Sequence, residues 1–335
     1  MQHFHQAILW EPLPGMAVRC NACAHYCEIA EGKFGICGTR KNVGGQLFTN
    51  VYELPMAVHT DPVEKKPLFH FLPGSKALSI GTAGCNFQCS FCQNYDMSQL
   101  RGEDVYGRKV SSRQLVVLAK EQGCKSMAYT YNEPVVFVEY VLDTAREAHN
   151  EGLKNVYISN GFETAGTFDL LSGNIDAMNI DLKAFTEKFY RKLCKGRLQP
   201  VLENIRRAFE MGIWVEVTTL LIPGENDSDA EIRDIAAFIA SVSRDIPWHI
   251  SRFFPTYKMT DKTPTSLAKI ERAFEIGREE GLHYVYTGNV PFENNITFCP
   301  RCAKDLIVRH AYSLEKMQVK SGLCPHCGMH IAGVF

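Results

Sequence analysis

The 335-residue chain has no long apolar run. None approaches the ~20 residues that cross a bilayer, and runs such as Val135-Val136-Phe137-Val138 are short and broken by charge. It shows no signal-peptide pattern, since Met1-Gln2-His3-Phe4-His5 is polar and no apolar stretch follows. Neither a secreted nor a membrane-spanning protein is expected. An excess of either charge is also missing: the formal net charge is −1, so neither nucleic acid nor a membrane surface is an expected partner. There is no low-complexity segment and no repeat beyond an alternation of strand-like and helix-like stretches. With 45% hydrophobic residues the chain can bury a sizeable core, and its length suits two domains or one barrel with additions.

Cysteine is abundant. Of thirteen, eleven fall into three groups: Cys20, Cys23, Cys27 and Cys37; Cys85, Cys89 and Cys92; and Cys299, Cys302, Cys324 and Cys327. Close cysteine pairs without a secretion signal read as metal or cluster ligands rather than disulfides, and the expected compartment is the reducing cytoplasm. Cys124 and Cys194 read as ordinary buried thiols.

The middle group organises the chain. Ala77-Leu78-Ser79-Ile80-Gly81-Thr82 reads as a buried strand, which places Cys85-x3-Cys89-x2-Cys92 in the loop at its C-terminal end. Sites in α/β sheets and barrels are built there. Three thiolates from one loop can hold three irons of a 4Fe–4S cube and leave the fourth iron for a substrate atom. A zinc site borrowing a fourth ligand, or plain buried thiols, are the alternatives. Around this loop, strands are expected near 77–82, 126–131, 155–159, 177–182, 214–221 and 249–254. Helices are expected near 112–122, 135–151, 164–171, 186–193, 201–211, 228–243 and 265–280. Ser112, Thr186 and Asp227 read as N-caps, and Gly123, Gly152, Gly212 and Gly281 as helix ends. Repeated βα units imply a parallel sheet with helical crossovers.

The triplet, with the aromatic Phe91 before its last cysteine, resembles the signature of radical S-adenosylmethionine (SAM) enzymes. That resemblance implies a partial (β/α)6 TIM-like barrel, a 4Fe–4S cluster on Cys85, Cys89 and Cys92, and SAM on the open iron. Reductive cleavage of SAM would give methionine and a 5′-deoxyadenosyl radical that takes hydrogen from a substrate. It also implies a one-electron donor such as flavodoxin or ferredoxin. Further SAM-binding residues follow from the same resemblance. Tyr131-Asn132-Glu133 stands where many members have Gly-Gly-Glu, so Glu133 is expected near the SAM amino group, or else merely to open a helix. Asn160 in Ser159-Asn160-Gly161 resembles a contact to the ribose or carboxylate, although Asn-Gly is also an ordinary turn. Asp181 and Lys183 sit two apart at a strand end and project from one face. They resemble the D-x-K segment of pyruvate formate-lyase activating enzymes, against the alternative of a structural ion pair. Val215–Gly224 resembles the strand and turn that flank adenine. Glu216 and Thr218 share a face that can line the cavity, while His249 on the next strand reads as a satisfied core residue.

The two ends carry small cysteine-rich modules. Residues 1–70 hold Cys20, Cys23, Cys27 and Cys37 among many glycines, with little core of their own. They match a closed zinc site, the first reading, and can equally hold a second cluster. His25 reads as a surface residue, with replacement of one of these ligands as the alternative; Asp61–His70 reads as an extended linker, and Lys65-Lys66 as solvated, with docking toward the site as the alternative. Residues 71–290 make the barrel. In 291–335, the two C-P-x-C knuckles of Cys299, Cys302, Cys324 and Cys327 read as a zinc ribbon. The order of these motifs resembles the AmmeMemoRadiSam-system branch, whose members are similar to pyruvate formate-lyase activating enzyme. A protein substrate of the glycyl-radical type is thus one expectation. Radical chemistry on a small molecule or on another protein side chain is a second, and a non-catalytic zinc- and cluster-binding adaptor a third.

Overall fold

The computed structural model describes residues 4–291 and 295–335. Met1, Gln2 and His3, read above as part of a polar start, lie outside the described residues, as do 292–294 of the C-terminal module. Six short strands come first: β1 (His5–Gln6), β2 (Trp10–Pro12), β3 (Val18–Cys20), β4 (Glu28–Ile29), β5 (Arg40–Val43) and β6 (Gln46–Thr49). They form two small antiparallel sheets, β2-β3-β4 and β1-β6-β5.

The central sheet has eight strands in the order β14-β13-β12-β11-β10-β9-β8-β7. These are β7 (Ala57–Pro62), β8 (Lys76–Gly81), β9 (Ser126–Tyr129), β10 (Lys154–Ser159), β11 (Ala177–Asp181), β12 (Trp214–Leu221), β13 (Trp248–Arg252) and β14 (Val285–Gly288). Strands β8 to β14 are parallel, and β7 joins β8 antiparallel. The short helix α1 (Tyr95–Ser98) lies in the loop after β8. The crossovers carry α2 (Ser112–Glu121), α3 (Val138–Asn150), α4 (Ala165–Leu171), α5 (Glu187–Phe189), α6 (Leu198–Glu210), α7 (Asp229–Val242) and α8 (Leu267–Glu279). Six βα units run from β8 to α8, as the sequence pattern predicts, and β7 and β14 are additions. The strands read as continuous apolar runs because both sheet faces are covered; β9 is buried at every position. A C-terminal sheet follows, β15 (Thr297–Phe298), β16 (Asp305–His310) and β17 (Ser313–Met317). No helix among the described residues is long and apolar enough to cross a membrane.

Local chemistry explains most boundaries. Ser111 rather than Ser112 caps α2, in a capping box with Gln114, because Ser112 is buried and its hydroxyl accepts from Thr144 Oγ1 at 3.0 Å. Ser228 rather than Asp227 caps α7, since the Asp227 carboxylate accepts from Gly224 N. Thr186 caps α5 as expected. Helix α6 starts three residues before the expected 201, because Pro200 falls in its first turn and forfeits no intrahelical bond.

The expected linker Asp61–His70 is instead the barrel floor. Leu68 and Phe71 pack on Ala77, Ala128, Val156 and Ala177, one from each of four neighbouring strands. Lys66, expected in solvent, is 3% exposed and bonds Asp61 at 2.7 Å. Beside this apolar plug, the buried Glu216 carboxylate accepts from Phe69 N (2.9 Å), His70 N (2.8 Å), Trp214 Nε1 (3.0 Å) and His249 Nε2 (2.6 Å). Burial alone would raise this acid, but its bond from His249 and the nearby histidines hold it below the usual range. Glu216 thus supports the floor and does not line the cavity. His249 is the satisfied core residue expected.

His70 ties the floor to the C-terminal module. Its Nδ1 lies 2.7 Å from Ala332 O and its Nε2 2.6 Å from the Tyr286 hydroxyl, while Phe71 bridges Val334. Burial pushes His70 down to about 4. The ring is therefore neutral at pH 7, with Nδ1–H donating to the carbonyl and Nε2 accepting from Tyr286. An unfolded histidine takes its proton near 6.5. The unfolded chain then binds the extra proton first, so this stability is present above pH 6.5 and is lost as pH falls toward 4. Denaturant unfolding is expected to show about 2 kcal/mol lost through His70 between pH 7 and 5. The His70→Gln variant should lack that part of the slope; equal slopes in both proteins would contradict the assignment.

Candidate functional site

The C-terminal strand ends surround a cavity of about 410 Å³. Cys85, Cys89 and Cys92 line it together with Phe91, Glu133, Asn160, Asp181 and Lys183. The structure therefore brings together every one of these sequence-predicted residues.

Neighbouring strands hold the cysteine loop. Asn132 Nδ2 donates to Gly84 O at 2.7 Å, and its Oδ1 accepts from Thr82 N at 3.3 Å. Gln88 N and Ser90 N, both at 2.9 Å, donate to the carbonyls of Cys194 and Leu193. Those acceptors belong to a π-turn, Tyr190–Cys194, that extends α5. Gly196 meets the loop from the other side, where a Cβ would lie 2.3 Å from Phe87 Cε1. Cys194, read as an ordinary buried thiol, is fully buried and stands against Cys89.

Lys183 Nζ and Asp181 Oδ2 are 2.6 Å apart. Burial would lower the lysine, but Asp181 and the sulfurs of Cys89 and Cys194 hold it well above its ordinary value. Glu133 is 1% exposed and accepts from Asn160 N at 2.8 Å and Ser159 Oγ at 3.1 Å. Ser159 also donates to Glu163 at 2.5 Å. Burial first, then the neighbouring Glu163 carboxyl, push Glu133 well above the usual carboxylate range. Asn160 Nδ2 donates to Asn86 Oδ1 at 2.7 Å, and the buried Asn86 Nδ2 has no protein partner. Ring centroids of Phe91 and Phe189 are 5.8 Å apart, which fixes Phe91 in the wall. Thr218 lines the cavity as expected, joined by Ile158 and Leu220.

A sequence profile described as the Radical SAM superfamily matches residues 79–236, the stretch from β8 into α7 that builds this cavity. An uncharacterized protein of Methanocaldococcus jannaschii is 40% identical over 330 residues, covering 97% of this chain and 98% of the relative. The chain belongs to the radical SAM superfamily.

Two further likenesses accompany that match. GTP 3′,8-cyclase of Lactiplantibacillus plantarum is 26% identical over 227 residues, covering 65% of this radical SAM protein and 66% of the cyclase. The crystal structure of Streptococcus suis SuiB bound to S-adenosylmethionine superposes with a TM-score of 0.52 at 16% identity, covering 68% and 53% of the two chains. At that identity the likeness concerns the fold.

Members of the superfamily use a 4Fe–4S cluster and SAM. The residues present fit both groups. Three thiols of one loop open onto one cavity, and they are not drawn together to the 4.8 Å mutual spacing that the C-terminal cysteines reach. Among the described residues no lysine or arginine forms an ion pair with the buried acids Glu133 and Glu163, and Asp181 with Lys183 offers one group of each sign.

Sequence reasoning missed several residues. Glu163 carries no motif. Asn132 stands beside Glu133 but carries no sequence signal of its own; its bonds to the cysteine loop mark it. Lys65 and Lys66 line the cavity, in keeping with the alternative reading of that pair, and Tyr131 donates to Asp61 at 2.9 Å beneath them. His25 is half-buried, not on the surface, with its Nε2 2.9 Å from Asn86 O. Arg252 turns away and donates to Thr265 O.

The C-terminal cysteines form a second constellation. Their four sulfurs lie within 4.8 Å of one another, with Cys299–Cys327 at 3.5 Å and Cys302–Cys324 at 3.7 Å. A single ion with ~2.3 Å metal–sulfur bonds sets tetrahedral edges of about 3.8 Å, so one zinc-sized ion fits.

The Gly196 contact gives a direct test. A Gly196→Ala substitution must displace Phe87, with an expected cost of about 1–3 kcal/mol and a lower iron content after anaerobic reconstitution. Parent-like unfolding and iron content would show that the contact does not shape the loop.

Proposed function

We propose that the protein is a radical SAM enzyme whose Cys85, Cys89 and Cys92 hold the 4Fe–4S cluster. The observation that carries this reading is the convergence of the three cysteines with Glu133, Asn160, Asp181 and Lys183 on one cavity at the C-terminal strand ends. When bound, the cluster and SAM supply a reductive cleavage that yields methionine and a 5′-deoxyadenosyl radical. The chain's own residues bind and orient. Glu133, with Glu163 behind it, takes the positive charge of the amino group, and that charge draws the acid back to its ionised form. Lys183 pairs with the carboxylate, and Asp181 and Asn160 hold the ribose. Ile158 and Leu220 flank the adenine, and Phe91 closes the wall against water. A flavodoxin- or ferredoxin-type donor supplies the electron in a cytoplasmic setting. Cys299, Cys302, Cys324 and Cys327 hold a structural zinc.

The substrate gives up a hydrogen atom at the cavity's polar side, where Lys65, Lys66, Ser251 and Asn289 line the wall. The motif order supports a glycyl-radical-type protein that presents a loop there. The relationship to enzymes named GTP 3′,8-cyclase, with two lysines in the wall, supports a small anionic molecule as the second reading.

Reconstituted protein with dithionite and SAM should form 5′-deoxyadenosine, and the Cys85→Ala/Cys89→Ala/Cys92→Ala variant should not. Equal product in both, or zinc in place of iron in the parent, would sink the proposal and favour a non-catalytic adaptor. A glycyl-radical signal on a candidate protein, against turnover of a nucleotide, separates the two substrate readings. For Lys183→Met, loss of a charge-assisted bond should weaken SAM binding about ten- to a hundredfold. Unchanged affinity would leave Lys183 and Asp181 a structural pair.

A further inference from the structure

The sequence spacing of the N-terminal cysteines suits zinc, the first reading, or a cluster. Cys20, Cys23, Cys27 and Cys37 line one pocket. The rest of its wall is mostly apolar, including Ile29, Val135 and Val136. A tetrahedral zinc draws its four sulfurs together along edges of about 3.8 Å. The C-terminal cysteines have that contracted form. Among the described residues they are the group of three or more ligand atoms lying within 4.8 Å of one another, and the N-terminal four do not close to that spacing. Cys85, Cys89 and Cys92 do not close to it either. A cubane bears each terminal thiolate on a different iron, so its sulfurs stand farther apart than those around one ion.

The surroundings suit a buried anion. Arg40 is 2% exposed and lines the pocket. Two of its bonds go to Glu139, at 2.8 and 2.9 Å, and its buried Nε has no partner. Thr39 Oγ1 donates to Cys37 Sγ at 3.3 Å. The backbone N–H groups of Ala22, His25 and Ile36 serve Cys20, Cys23 and Cys27. Hydrogen bonds to sulfur and a fixed positive charge stabilise either metal centre; the open sulfur spacing separates the two.

We infer that Cys20, Cys23, Cys27 and Cys37 hold a second 4Fe–4S cluster, fully ligated by protein and distinct from the one that meets SAM. It lies beside the first site, since a Cβ on Gly84 would sit 2.7 Å from Cys37 O. The inference does not depend on the radical SAM assignment of the central triplet.

The test reconstitutes the full chain anaerobically with iron and sulfide, then counts metals and records Mössbauer and EPR spectra. The parent should hold about eight irons, and the Cys85→Ala/Cys89→Ala/Cys92→Ala variant about four in a cubane whose EPR signal ignores added SAM. Four irons in the parent, with zinc at two per chain, would overturn the inference. So would a triple variant that keeps only mononuclear or adventitious iron. If that variant fails to fold, a Cys23→Ser/Cys27→Ser variant answers from the other side: it should lose half the parent's iron and keep the SAM-sensitive signal. Full retention of the parent's iron there would also overturn the inference.

Discussion

The buried carboxylate of Glu216 is the interaction on which the barrel's closed end rests. It sits on a central strand with no solvent to stabilise its charge. Two backbone amides of the floor, an indole and a histidine satisfy it together. Removing any one donor would leave a buried anion short of a partner, which costs more than the bond itself contributes. This single residue therefore dictates where Phe69 and His70 must lie. Through them it also places the C-terminal module, because Arg309 reaches back to the Phe69 carbonyl and His70 to Ala332.

With the floor sealed by side chains, polar space remains at the opposite end. There the strand ends deliver one group each to a common cavity: the cysteine loop after β8, Glu133 after β9, Asn160 after β10, Asp181 and Lys183 at β11, Thr218 on β12. The arrangement separates structural polarity from functional polarity. Below, each polar atom of the Glu216 cluster has a protein partner. Above, an acid pair and the Asn86 amide are buried without full satisfaction. Incomplete satisfaction of this kind is costly in the folded chain and is offset when a polar ligand arrives.

Much of this was legible in the sequence because it is local. Periodicity marks the six βα units, cysteine spacing marks three constellations, and a two-residue step puts Asp181 and Lys183 together. What escaped depends on pairing across long separations. Lys66 reads as a solvated charge until Asp61 on β7 and Tyr131 in the loop after β9 enclose it. Glu216 and Thr218 share a face, but that face spans floor and cavity, and only their height along the strand divides them. Glu163 has no motif at all; it matters because an N-terminal strand bridge at Cys23 presses it against Glu133 and Ser159. The four N-terminal cysteines have a sequence spacing that suits either a single ion or a cluster.

The floor also bears on the order of assembly. Neighbouring βα units meet across short separations, as Ser159 and Glu133 do at 26 residues, but His70 meets Ala332 across 262. Closing so large a loop costs entropy that no nearby contact offsets, so long-range closures form late. Until the ribbon docks, Phe69, Tyr284 and Tyr286 lack the module side chains Leu306, Ile307, Val319 and Ile331 that cover them. A half-built molecule in that condition is prone to self-association. The C-terminal ribbon, far from the chemistry, thus governs how long the nascent barrel stays adhesive.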